Sequence, residues 1–101
     1  MKIKKIYYVY EIVVDDIRRY IGITDNIKRR QSQHRRDLKK GDKYLYKMIR
    51  ETSPETIITL NIINEFENKG DCSRWECKMI LDDYFNKKEL WQSFPITIKY
   101  F

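Results

Sequence analysis

Apolar and polar positions change period several times along the chain, and each change marks an element. Residues 6–14, IYYVYEIVV, are β-branched or aromatic nearly throughout and too short for a convincing helix, so they predict a strand. Asp15-Asp16-Ile17 reads as a turn, and residues 18–23, RRYIGI, as the returning strand of a hairpin. Thr24, Asp25 or Asn26 can cap a helix that runs to about Lys40 and ends at Gly41. Asp42 is placed to cap a second, short helix through Glu51, with Leu45, Met48 and Ile49 as its apolar stripe, before Thr52-Ser53-Pro54 breaks it.

Residues 56–66, TIITLNIINEF, alternate Ile58, Leu60 and Ile62 with polar or smaller neighbours, as a half-buried third strand would. Asn68, Gly70 and Asp71 punctuate the chain there. Residues 73–88 return to helical spacing, with Trp75, Met79 and Asp82 on one row and Glu76, Ile80 and Tyr84 on another. The final segment, WQSFPITIKYF, fits either an edge strand or irregular packing. The order β-β-α-α-β-α predicts an α+β fold, a small three-stranded antiparallel sheet flanked by helices, with residues 1–101 as a single domain.

Composition sharpens this picture at three points. An aromatic content of 14% and the many isoleucines argue against disorder despite 36% charged residues. The net charge of +6 is local: residues 28–40 hold seven cations against one anion, Asp37, and the rest of the chain is neutral. Lys28, Arg29, Arg30, Arg35, Arg36, Lys39 and Lys40 therefore form a patch suited to an anionic partner such as nucleic acid or a membrane surface. No apolar run approaches the ~20 residues of a membrane span, and the N-terminus lacks the pattern of a secretory signal, so a cytoplasmic protein is expected. Cys72 and Cys77 fit no zinc or CxxC spacing, and one histidine cannot complete a Cys/His metal set; two reduced cysteines on a core helix are expected.

Chemistry concentrates around the first helix. Ile27, Arg30, His34 and Leu38 fall on one stripe, and its apolar ends should face the sheet, carrying Arg30 and His34 inward. The plainer alternative is a rotated helix with both residues solvated like Arg29 and Arg36. Hairpin register decides the tyrosines. A two-residue turn would set Tyr20 opposite Glu11, with Tyr10 on the other face. A three-residue turn would set Tyr20 opposite Ile12, with Tyr10 a diagonal neighbour on the same face, and this second register is expected. Gly22, inside a strand, suggests close approach of another group. Tyr7, Tyr8 and Tyr44 are assigned to packing. Glu76 shares an otherwise buried row with Cys72, Ile80 and Tyr84, so it needs a cation, a metal or hydrogen-bond donors, unless it is a rim residue paired with Arg74 or Lys78.

These residues resemble the GIY-YIG nucleases, found in some homing endonucleases, some restriction enzymes and the incision module of bacterial nucleotide excision repair. Tyr8-Val9-Tyr10, followed by Glu11-Ile12, is similar to the first motif and Tyr20-Ile21-Gly22 to the second; Arg30 and His34 follow at the family's spacing, and Glu76 with Ile80 matches its metal-binding helix. Tyr8 departs from the first-motif glycine. The family's later asparagine is matched only by Asn86, which comes early, or by Gln92.

The resemblance implies a metal-dependent DNA endonuclease that hydrolyses a phosphodiester by water attack. Tyr10 would be the general base, Tyr20 would orient the water or share the proton, and His34 would relay it. Arg30 would stabilise transition-state charge, and Glu76 would bind Mg²⁺, with Mn²⁺ as its substitute. The rival reading is a non-catalytic nucleic-acid-binding module of the same fold. Cleavage specificity would have to come from loops, a homodimer or a partner protein.

Overall fold

Alternation along the first strand divides the molecule into two cores. The structure, a computed structural model, describes residues 4–92. β1 (Tyr7–Val14) sends Val9 to one face and Tyr10, Ile12 and Val14 to the other, all buried, because successive side chains on a strand point to opposite sides. β2 (Ile17–Thr24) and β3 (Asn61–Phe66) pair with it antiparallel in the order β2-β1-β3. On the Tyr10 face pack α1 (Ile27–Leu38) and α2 (Tyr44–Thr52), through Leu45, Tyr46 and Ile49 with Ile27 and Leu38 beside them. On the Val9 face α3 (Lys69–Phe85) lays Cys72 and Ile80 against Val9 and Ile21. The element order and the α+β class are those the sequence predicts.

The hairpin reaches the expected register by a different route. Asp15 and Asp16 both adopt positive φ, 53° and 66°, forming a two-residue turn of the kind whose twist matches paired strands. Val14 therefore faces Ile17 and Val13 faces Arg18. A bulge then leaves Arg19 unpaired, and beyond it Ile12 faces Tyr20 and Tyr10 faces Gly22. Turn plus bulge gives the pairing expected from a three-residue turn.

Three boundaries differ from expectation, two of them because a side chain satisfies backbone that the sequence pattern does not show. Ile58 and Leu60 are buried but precede β3. Arg35 Nε donates to the Ile58 carbonyl at 2.8 Å and the Leu60 N–H donates to Gln31 Oε1 at 3.0 Å, so α1 side chains hold this segment in place of a strand ladder. A second bulge, at Ile63, follows, and Ile62 opposite Tyr10 stays 50% exposed at the sheet edge. α3 starts at Lys69 because Asn68 caps it, accepting from the Asp71 N–H at 3.1 Å; its inward row is Cys72, Glu76, Ile80 and Asp83, while Tyr84 is largely exposed. The N-cap of α2 is Lys43 and carries no side-chain cap bond, so Asp42 does not play the part expected of it.

Arg18 ties α3 to the hairpin. It forks onto buried Asp83 with bonds of 2.7 and 2.6 Å and reaches Glu11 at 3.3 Å. The described end of the chain runs beside β2: the Trp91 N–H donates to the Arg19 carbonyl at 2.7 Å, and the Gln92 amide both accepts from and donates to the Ile21 peptide, at 2.6 and 2.8 Å. Residues 93–101, most of the segment expected to be an edge strand or irregular, lie outside the described residues.

Candidate active site

The site is built on the sheet face covered by α1. Asn26 caps α1 by accepting from the Arg29 N–H at 3.0 Å, and Thr24 braces Asn26, which fixes the helix rotation. The predicted stripe faces inward: Ile27 and Leu38 pack on the core, His34 is 2% exposed and Arg30 is half-buried. Tyr10 and Tyr20 lie on the same face with ring centroids 6.1 Å apart, nearly parallel. A Cβ at Gly22 would stand 2.5 Å from the Tyr10 hydroxyl, so the glycine is required by the ring laid across it.

His34 joins two tyrosines. Its Nε2 lies 2.8 Å from the Tyr10 hydroxyl and its Nδ1 2.9 Å from that of Tyr46. Burial, helped by the charges of Arg30 and Lys43, lowers its pKa to about 4, so the ring is neutral at physiological pH. A neutral imidazole donates through one nitrogen and accepts through the other. Tyr46 is buried and has no second hydrogen-bond partner among the described residues, so its hydroxyl donates to Nδ1. Nε2–H then donates to Tyr10, leaving the Tyr10 hydroxyl to donate onward. Its neighbour is Tyr20, and a bond from Tyr10 lowers the pKa of Tyr20 while raising that of Tyr10. The bonded chain Tyr46, His34, Tyr10 thus runs in one direction, with Tyr20 standing at its end.

The end of that chain is the member nearest solvent. Tyr10 is 1% exposed and burial pushes its pKa far up, as it pushes Tyr46 to about 12. Tyr20 is only partly buried and borders a cleft. Its pKa is also raised by burial, opposed by the Tyr10 bond and by Arg30. Glu76 acts on it as well, so the charges of both Arg30 and Glu76 reach this one phenol.

A family model described as the GIY-YIG catalytic domain matches residues 6–89. The chain belongs to the GIY-YIG family. Comparison with curated proteins and with solved structures returned no match. GIY-YIG nucleases are generally dependent on a divalent metal, and a nuclease domain implies DNA as substrate. No helix among the described residues is long and apolar enough to cross a membrane.

Within this GIY-YIG domain the remaining expected residues fall as follows. Glu76 sits mid-helix, half-buried, its pKa raised by burial, with no hydrogen bond or ion pair among the described residues; Arg74 is taken by Asp71 instead. A lone carboxylate of this kind fits a metal such as Mg²⁺, which commonly takes one or two protein carboxylates and completes its shell with water and phosphate. No group of three or more His, Cys, Asp or Glu side chains suited to an all-protein metal cage occurs among the described residues. Of the cationic patch, Lys28, Arg36, Lys39 and Lys40 are exposed without an ion pair among the described residues. Arg29 pairs with Asp25 at 2.8 Å and Arg35 holds the Ile58 carbonyl, so these two also serve the scaffold. Asn86 closes the C-terminus of α3 by donating to the Asp82 carbonyl at 2.8 Å, whereas Gln92 braces Ile21 of the second motif.

Sequence reasoning did not single out Tyr46. Its signal was its spacing three residues before Ile49 on the inward side of α2, hidden among eight tyrosines. Gly41 admits its ring: a Cβ there would meet Tyr46 Cδ2 at 2.7 Å.

Proposed function

We propose that this protein is a DNA endonuclease that hydrolyses phosphodiester bonds by attack of water, with Tyr20 as the group that takes the proton from the water. What supports this reading is the position of Tyr20 at a cleft, beside the hydrogen-bonded row Tyr46, His34, Tyr10 and within reach of the charges of Arg30 and Glu76. This exchanges the tyrosine roles expected from sequence. Tyr20 acts as the phenolate, its own proton having left to solvent at the cleft; Tyr10, enclosed and bonded to His34, stabilises that negative charge until Tyr20 takes the proton of the water and becomes neutral, and His34 with Tyr46 orients the Tyr10 hydroxyl.

Arg30 is always protonated and has planar donors suited to phosphate oxygens; only one, Nη1, is engaged among the described residues, donating to Gln33 at 3.1 Å. It stabilises the charge that develops as the water oxygen bonds to phosphorus and the ester oxygen departs. Glu76 would hold Mg²⁺, or Mn²⁺ in its place, and such an ion when bound supplies Lewis-acid stabilisation to phosphate oxygens. Lys28, Arg36, Lys39 and Lys40 grip the DNA backbone without reading sequence.

The test is nicking of supercoiled plasmid with Mg²⁺ by wild type, Glu76→Ala, Arg30→Ala, Tyr20→Phe and Tyr10→Phe. Loss of nicking is expected in the first three variants. Tyr10→Phe should keep weak activity, reduced by about 10²-fold, a typical loss when acid–base assistance is weakened. Activity of wild type unchanged in Glu76→Ala and Arg30→Ala would sink the site. A Tyr10→Phe enzyme as dead as Tyr20→Phe would return the base to Tyr10. Binding of duplex with no cleavage by wild type would favour the non-catalytic module.

A further inference from the structure

Tyr44 is an aromatic to which the fold gives no packing task. The sequence pattern assigns it to packing, yet it is 53% exposed at the start of α2, and its ring and hydroxyl have no stacking or hydrogen-bond partner among the described residues. A single exposed aromatic is ordinary on a protein surface. This one, however, lines a cleft of about 290 Å³ whose other members include Tyr20, Leu45 and Trp91. The proposed proton acceptor and an unpartnered aromatic ring therefore share one cavity.

Most of that cleft is held rigid from behind. Leu45 and Trp91 belong to the core on the Tyr10 face, the backbone N–H of Trp91 is bonded to the Arg19 carbonyl at 2.7 Å, and the Gln92 amide is fixed on the Ile21 peptide. Lys43 and Tyr44 are its exposed members. Aromatic rings, one leucine, one amide and one cation make up the lining, and among the described residues no acid does. Such a lining suits a flat ligand with an anionic group attached. A bare phosphate would use only Lys43, whereas a nucleobase offers its π-face to the rings and brings its phosphate to the lysine.

The structure of DNA then limits which substrate can reach the cleft. In a duplex the bases are stacked and paired inside the backbone, so a base enters only after leaving the stack, and this costs least where the base has no pairing partner. We propose that the cleft holds an unpaired nucleobase beside the phosphodiester that is cut, with Tyr44 as its stacking platform, so that the substrate class is DNA carrying an unpaired nucleotide. This rests on the nuclease reading for the bond that is cut, and it names what lies next to that bond.

The test measures binding in EDTA, which prevents turnover, by anisotropy of labelled DNA. A paired duplex is compared with the same duplex carrying one bulged nucleotide and with one whose bulge is abasic. Wild type should bind the bulged duplex about tenfold tighter than the paired one, the effect of gaining one base stack. The abasic bulge keeps the backbone but lacks the base, so its affinity should fall back to that of the paired duplex. Tyr44→Ala should lose the preference, and Tyr44→Phe, which keeps the ring, should retain it. With Mg²⁺, cuts should fall next to the unpaired nucleotide. Equal affinity for bulged and paired duplexes, an abasic bulge bound as tightly as the base-bearing one, a preference that survives in Tyr44→Ala, cuts spread evenly along the duplex, or no DNA binding at all would overturn the proposal. A wild type with the full Tyr44-dependent preference that never cleaves defeats the nuclease reading and leaves the base-binding cleft standing. Cleavage of DNA without that preference does the reverse.

Discussion

Glu76 keeps a carboxylate where burial disfavours its charge and no described side chain compensates it. A raised carboxyl pKa means that the folded state loses stability as pH rises from the ordinary carboxyl pKa through the raised one, because the unfolded chain ionises more easily. Glu76→Gln should therefore raise the melting temperature at neutral pH in EDTA while abolishing nicking. Added Mg²⁺ or Mn²⁺ should raise the melting temperature of wild type and leave that of the variant unmoved; equal shifts in both would place the metal elsewhere. At this scale the sequence showed Tyr10, Tyr20, Arg30 and His34 on one face, because helix and strand periods dictate it. It did not show which tyrosine faces water. That follows from the bulge at Arg19 and from the second partner of His34, Tyr46, neither of which has a local signature.

Elements were legible where their order rests on local chemistry and illegible where a distant side chain replaces a neighbour. The β-branched and aromatic run of β1 and the Asn26 cap are local signals, and the structure follows them, whereas the turn takes two residues, Asp15 and Asp16, where three were expected. Residues 56–60 alternate like a strand, yet their backbone bonds go to Gln31 and Arg35 on α1, which no periodicity reveals. The join between α3 and the hairpin is of the same type. Asp83 looks like one more surface acid but forks onto Arg18 of β2. Asp83→Ala leaves that guanidinium half-buried with only the longer contact to Glu11, and should cost about 3 kcal/mol in denaturant unfolding, the low end for breaking a buried pair. Replacing both by Arg18→Met and Asp83→Leu should recover most of the loss; a double variant no better than the single one would show that packing at this join, and not the orphaned charge, sets the cost.

For the molecule as a whole, His34 couples the site to acid stability. The unfolded imidazole takes up a proton near its ordinary pKa of 6.5, whereas the folded one resists until about 4. Stability should therefore fall as pH drops through this interval, as the unfolded state binds the extra proton. His34→Gln should flatten that part of the profile, read by thermal melts across it. A slope identical in wild type and variant would assign acid sensitivity to other groups. The opposite edge of the sheet has a different consequence. An unpaired edge strand is a template on which another chain can add itself. β2 bears Tyr20 on such an edge, but Trp91 and the Gln92 amide occupy its outward peptide groups at Arg19 and Ile21. One glutamine side chain thus stands in for a neighbouring strand, and it keeps a second molecule from assembling onto the strand that carries Tyr20.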